Sequence, residues 1–381
     1  MKKTVFAIVA LLFVFASIEL VSLMATRYLV GKGVLYQPFS AGSYAEYLEM
    51  RDPILGWPAP TSFGTGTWDS SGSRIIPAFP DPKRHPECVS LYGDSFTNSA
   101  EVSNEDAWSN LLSIRLGCRV SNYGMGGYGT DQAFIRFHEN SADDAKVVFL
   151  NHLSENILRN VNQFRALLYR AAKADGFKPR FIIDRSGTLV QIPMPDLSEE
   201  EITGFLQNPT AKYLKHEYYL PGGLSGNSIV RFPYSLSVLR AMGHFHIHAK
   251  IVDESWYKDF YLKDHASNGL VVTEEIIVAF RKEAIARGEV PVVSIIPTGL
   301  DLVEYKKTGS WVYQNLIDVL SAREIAVINH GKYIFEQIGD RDPCDLFNDC
   351  SAHFNEDGYA LIADSSYEYL KANDLLRTLK D

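Results

Sequence analysis

Three short predicted strands, each ending in a polar or glycine-rich loop, constrain this chain more than any other feature. They are Cys88–Tyr92, Arg119–Asn122 and Lys146–Leu150. Helical periodicity alternates with them over Asp106–Leu116 and Asp131–His138. Two more apolar runs follow at Val290–Ile296 and Ile325–Ile328, separated by a helical stretch. Strands that alternate with helices, continuous rather than striped, predict a parallel sheet covered on both faces. In such open sheets ligands bind beyond the carboxyl ends of the strands. The loops that follow the first three runs are therefore the places to look for chemistry.

Each loop supplies something an ester hydrolase needs. In Gly93-Asp94-Ser95-Phe96-Thr97 a serine sits at a strand-to-helix turn, where its hydroxyl can face a cleft. Its backbone N–H would lie at a helix N-terminus and could point at a developing oxyanion. Asp and Ser are also ordinary helix caps, so the tripeptide by itself is weak. The second loop, Asn122 to Gly129, is rich in glycine, and Gly127 could offer an N–H to the same oxyanion. Its glycine spacing is wrong for a dinucleotide site. The third loop, Ser154-Glu155-Asn156, carries an amide suited to a third donor role. Near the C-terminus His353 precedes a helix and has Asp349 upstream. That arrangement suits a general base and its orienting acid.

Taken together and in this order, these blocks resemble the SGNH (GDSL-like) hydrolase superfamily. Its sequences run Gly-Asp-Ser, a glycine after Asn, Gly-x-Asn, and a late Asp-x-x-His. The resemblance spans about Cys88 to Lys371, less one insertion, and Gly72-Ser73-Arg74 looks like the extension of membrane-anchored bacterial members. It implies a three-layer α/β/α sandwich with a central parallel sheet, flavodoxin-like in layout. It implies Ser95 as nucleophile, His353 as base and Asp349 as acid. The N–H groups of Ser95 and Gly127 and the Asn156 amide would form the oxyanion hole, with neither metal nor organic cofactor. Two departures stand out. Ser154 and Ile157 replace the usual Gly and Asp of the third block. Asp349 lies four residues before His353 rather than three, with Cys350 at the usual place, so Asp345 or a Ser-His dyad are alternatives. A Gly-x-Ser-x-Gly elbow is absent around Ser95.

The N-terminus reads as an export signal. Lys2 and Lys3 precede an apolar stretch from Thr4 to Ala25, interrupted by Glu19 and a few Ser and Thr. A retained anchor over residues 1–30 is favoured over a cleaved signal peptide, because the apolar character resumes after Glu19 and no cleavage site is convincing. The positive flank places the remainder outside the cytoplasm, in the periplasm or beyond, held at the inner membrane. Four cysteines, Cys88, Cys118, Cys344 and Cys350, fit an oxidising compartment. They allow three pairings. A bridge between neighbouring strands for Cys88 and Cys118, and a small loop closed by Cys344 and Cys350, are among them.

Residues 31–87 form a Pro- and Gly-rich extension with irregular or hairpin character, and the hydrolase domain runs over 88–381. A mostly helical insertion over about 160–289 interrupts that domain and reads as a cap. His244, His246 and His248 would share one face of a strand, but their surroundings look helical, which spreads them and argues against a metal. The net charge of −9 disfavours nucleic-acid binding. The expected activity is that of a serine ester hydrolase removing O-acetyl groups from an exported or cell-surface polysaccharide. The alternatives are a polysaccharide O-acetyltransferase on the same scaffold and a catalytically silent polysaccharide-binding or assembly protein.

Overall fold

A computed structural model describes residues 2–40, 42–59, 67–169, 176–252 and 254–379. In chain order the labelled helices are α1 (Lys2–Gly31), α2 (Ser95–Asn98), α3 (Trp108–Leu116), α4 (Thr130–Glu139) and α5 (Asn156–Arg159). They continue with α6 (Glu199–Gln207), α7 (Tyr234–Ala241), α8 (Phe245–Val252) and α9 (Gly269–Arg287). The last are α10 (Gly299–Thr308), α11 (Gln314–Ala322), α12 (His330–Ile338) and α13 (Glu356–Ala372). The labelled strands are β1 (Glu87–Tyr92), β2 (Arg119–Asn122), β3 (Val147–Leu153), β4 (Arg180–Ile183), β5 (Leu189–Ile192), β6 (Val290–Ile296) and β7 (Val327–Asn329). The chain divides into two compact units.

The larger unit comprises residues 50–161, 178–194 and 257–381. Its centre is a five-stranded, all-parallel sheet in the order β2-β1-β3-β6-β7. Val89, Leu91, Val147, Phe149 and Ile295 are completely buried, as strands covered on both faces require. Helices α3, α12 and α13 lie on one face, and α4 and α9 on the other. This is the three-layer α/β/α arrangement with flavodoxin-like strand order. The connection leaving β1 runs to one side and the one leaving β2 to the other, so the switch of winding falls at the carboxyl end of β1. Cys88 and Cys118 form a disulfide at the amino end of the β1/β2 pair, and Cys344 and Cys350 form a second just before His353.

One element of this unit departs from the sequence reading. Strands β4 and β5 pair as an antiparallel hairpin within a stretch read as helical and Pro-rich. The turn is built by Asp184, whose Oδ1 accepts the N–H groups of Ser186 and Thr188, and by Gly187 at φ +81°.

The smaller unit comprises residues 1–49, 162–177 and 195–256. It contains α1, α6, α7 and α8 and a two-residue parallel pairing of Leu35–Tyr36 with Ser228–Ile229. Helix α1 is long and apolar enough to cross a membrane, and its residues from Val5 to Val21 are exposed apart from Glu19. The apolar helix and the two disulfides are compatible with an exported protein. Helix α8 is helical as read, and His244 at its start bonds Asn227 Oδ1 through Nε2 at 2.7 Å.

Candidate active site

Ser95 is the first residue of α2, immediately beyond β1, at the switch of winding. Its N–H is one of the donors that a helix N-terminus leaves without an internal partner. The preceding residue, Asp94, caps the helix, its Oδ1 accepting the Phe96 N–H at 3.0 Å. The other oxygen of Asp94 meets Arg159 Nη1 of α5 at 3.2 Å. Burial pushes the Asp94 carboxyl above its ordinary range, and the Arg159 guanidinium pulls the other way. Arg159 also donates to Tyr128 O at 3.0 Å and to Glu155 Oε1 at 3.2 Å. One guanidinium thus ties the loops after β1, β2 and β3 together.

The second loop is fixed by Asn122 at the end of β2. Its Nδ2 donates to Thr97 O at 2.7 Å, and its Oδ1 accepts the Gly124 N–H at 3.0 Å. A side chain at position 124 would lie 2.5 Å from the Asn98 nitrogen and 2.9 Å from Asp94 O, so only glycine lets this loop approach the serine turn. Gly127 follows at φ +86°, in the left-handed region.

Asn156 begins α5 at the carboxyl end of β3, the neighbour of β1. It is fully buried, and among the described residues neither its Nδ2 nor its Oδ1 has a hydrogen-bond partner. A buried amide left this way carries a desolvation cost that a ligand would relieve. The two departures in this block have structural explanations. Ser154 hydrogen-bonds Asp301, whose carboxylate also receives the Tyr257 hydroxyl at 2.6 Å and the Thr298 N–H at 2.7 Å. Ser154 therefore links the loop after β3 to the cap of α10. Burial raises the Asp301 carboxyl to about 6. Ile157 is fully buried.

The structure brings Ser95 and His353 together. His353 Nε2 lies 2.8 Å from Ser95 Oγ. Its ring packs on Phe96 at 4.9 Å between centroids, and Ser95 itself is 8% exposed. The loop bearing His353 is stapled by the Cys344–Cys350 disulfide. The bridge between Phe347 and Phe354 and the Asn348 N–H to His353 O bond at 3.0 Å hold it further.

The acid is where the sequence reading is corrected. Asp349 does not touch His353. It sits at the exposed tip of the loop, where its Oδ1 accepts the N–H and hydroxyl of Ser351 at 3.0 and 2.6 Å. The bridge folds residues 348–353 back on themselves and turns the tip residue outward. Asp345 meets Asn355 Nδ2 only through its main-chain carbonyl. The carboxylate on the imidazole is Glu101, whose Oε1 lies 2.9 Å from His353 Nδ1. Asn348 Nδ2 donates to its Oε2 at 3.0 Å. These hydrogen bonds, Asn348 first and His353 next, hold the Glu101 carboxyl below its ordinary range.

Glu101 reaches this place because its loop is held in an unusual shape. Ser99 and Glu101 have φ of +63° and +71°, conformations that L-residues with side chains rarely adopt. Arg74 clamps the loop from the extension. Its guanidinium donates to the carbonyls of Asn98, Ser99 and Val102 and to Asn104 Oδ1, the last two at 2.8 Å. Arg74 is in turn tied to β2, its N–H donating to Asn122 O at 2.8 Å. Sequence reading missed Glu101 and Arg159. A carboxylate six residues past the serine has no local pattern that distinguishes it from a surface glutamate.

Among the described residues no cluster of three or more His, Cys, Asp or Glu side chains is placed to hold a metal ion. No protein-family model and no curated protein matches this chain. Solved structures similar to it include members of the G-D-S-L lipolytic family and esterases. A member of the lipolytic protein G-D-S-L family from Veillonella parvula is 16% identical, with 74% of this chain and 96% of that one covered and a TM-score of 0.33. For a GDSL-like lipase from Bacteroides thetaiotaomicron the values are 9% identity, 75% and 88% coverage, and a TM-score of 0.34. A catalytic mutant of an acetylxylan esterase from Geobacillus stearothermophilus gives 12%, 75% and 94%, and 0.36.

Proposed function

We propose that this chain is a serine ester hydrolase. The observation that carries the reading is the chain of contacts from Ser95 Oγ to His353 Nε2 at 2.8 Å and from His353 Nδ1 to Glu101 Oε1 at 2.9 Å. His353 takes the hydroxyl proton as Ser95 Oγ attacks the ester carbonyl. Glu101 holds the ring in the tautomer with its proton on Nδ1 and stabilises the imidazolium that forms. The oxyanion is held by the N–H groups of Ser95 and Gly127 and by Nδ2 of Asn156, the amide left without a partner. The imidazolium returns its proton to the departing alkoxide, leaving an acyl-enzyme. Water, deprotonated by the same histidine, resolves it.

The substrate class we propose is an O-acetylated polysaccharide outside the cytoplasm, with α1 retained as a membrane anchor. The N-terminal export pattern, the two disulfides and the resemblance of the four sequence blocks support this reading. Hydrolysis of p-nitrophenyl acetate by the full chain, beside Ser95→Ala and His353→Ala, tests the mechanism. Turnover that vanishes in both variants is the expected result. Folded wild-type protein without turnover, or turnover that survives Ser95→Ala, would overturn it. Release of acetate from an O-acetylated polysaccharide, dependent on Ser95, tests the substrate class.

A further inference from the structure

Glu19 is a carboxylate in the middle of an otherwise apolar, exposed helical face, and it is 7% exposed. Its oxygens accept the N–H groups of Tyr234 and Ser235 and the Ser235 hydroxyl, at the N-terminus of α7. Negative charge there also complements the helix dipole. Four residues deeper on α1, Phe15 packs edge-on against Phe232. Towards the other end of α7, Ala241 is buried with Val30, Val34 and Leu35. Helix α7 therefore runs alongside α1, from the level of Glu19 to that of Val30.

The two faces of α7 differ. Ser237 and Ala241 are buried, while Leu236 and Leu239 of the helix, Met242 at its C-terminal end and Phe232 just before it are 46–66% exposed. If α1 crosses a bilayer over its exposed apolar stretch from Val5 to Met24, about 20 residues span the hydrocarbon. Glu19 then lies about 8 Å inside the boundary opposite Lys2 and Lys3, at 1.5 Å of rise per residue. A carboxylate at that depth is costly unless its oxygens are satisfied by the protein. The exposed apolar residues around α7 begin beside that surface, where Phe232 meets Phe15. Arg231 and Arg240 flank it, with side chains long enough to reach headgroup phosphates.

We propose that Phe232–Met242 is a second membrane-contacting element, which dips into the headgroup and acyl boundary beside α1 with Glu19 as its latch. The proposal rests on the anchor reading of α1 and is independent of the hydrolase reading. Its test uses the full chain in vesicles of phosphatidylcholine and phosphatidylglycerol. Nitroxide labels are placed at Leu12→Cys, Leu239→Cys and Lys282→Cys, and accessibility to oxygen is compared with accessibility to an aqueous nickel chelate. Labels at 12 and 239 are expected to be reached by oxygen and shielded from nickel, with the label at 282 reached by nickel. A label at 239 that behaves like the one at 282, while 12 stays shielded, would overturn the proposal and leave the anchor standing. Nickel access at 12 as well would overturn both. Adding Glu19→Leu is expected to expose 239 to nickel and leave 12 shielded, whereas unchanged shielding at 239 would remove the latch.

Discussion

Glu101 Oε1 lies 2.9 Å from Nδ1 of His353, whereas Asp349, the nearer carboxylate in sequence, faces solvent and bonds Ser351. In the proposed mechanism the orienting acid comes from the loop that follows Ser95, not from the loop that carries His353. Glu101→Gln should therefore lower kcat for p-nitrophenyl acetate about 10- to 100-fold, at the modest end of acid–base effects because this carboxylate is half exposed. Asp349→Asn should change it less than about twofold, within the range of surface substitutions away from a site. Steady-state kinetics on the two variants separate the assignments.

Arg74 acts through the same loop. A lysine at position 74 cannot reach the four acceptors that the guanidinium serves. Arg74→Lys should reduce kcat more than it raises KM, because the loss falls on Glu101 rather than on substrate contact. A stability loss of about 1–3 kcal/mol, that of leaving buried acceptors unsatisfied, should accompany it in denaturant titration.

The Asp94–Arg159 pair is buried on both sides. Arg159→Met would leave the Asp94 carboxylate without its cation, at about 3–5 kcal/mol. The double variant Asp94→Asn with Arg159→Met should recover part of that loss. Equilibrium unfolding of the two single variants and the double gives the coupling.

The pattern of strands was legible because a sheet buried on both faces needs short runs that are not striped with charge, and Lys146–Leu150 and Val290–Ile296, rich in valine and isoleucine, stand out as such runs. Ser95 and His353 were legible because each marks an element boundary. Glu101 was not, since its role depends on two left-handed residues and on an arginine that precedes it by 27 positions. The β4/β5 hairpin was overlooked although Phe181-Ile182-Ile183 and Thr188-Leu189-Val190 flank Asp184-Arg185-Ser186-Gly187, a recognisable turn signal. Ser154 looked like a defect in the third block. The Asp301 carboxylate it bonds lies 147 residues away, beyond any local pattern.

Glu289 offers a pH test remote from the site. Burial raises its carboxyl to about 7, with Asp143 and Glu283 adding to the shift and Arg287 opposing it. The folded state then holds the proton more tightly than the unfolded state. Its contribution favours folding at low pH and is lost as pH rises from the ordinary glutamate range through about 7. Glu289→Gln stays neutral throughout. The variant should gain stability over the parent above pH 7, of order 1 kcal/mol after allowance for solvent screening, and the gain should vanish near pH 4. Thermal unfolding across that range reads it.

Activation of Ser95 by His353 is open to covalent trapping. The full chain would be treated with a fluorophosphonate and its intact mass and modified peptide determined. One adduct is expected, on Ser95, absent from Ser95→Ala and formed far more slowly in His353→Ala. A folded protein that takes up no reagent, or an adduct whose rate is unchanged by His353→Ala, would contradict that activation.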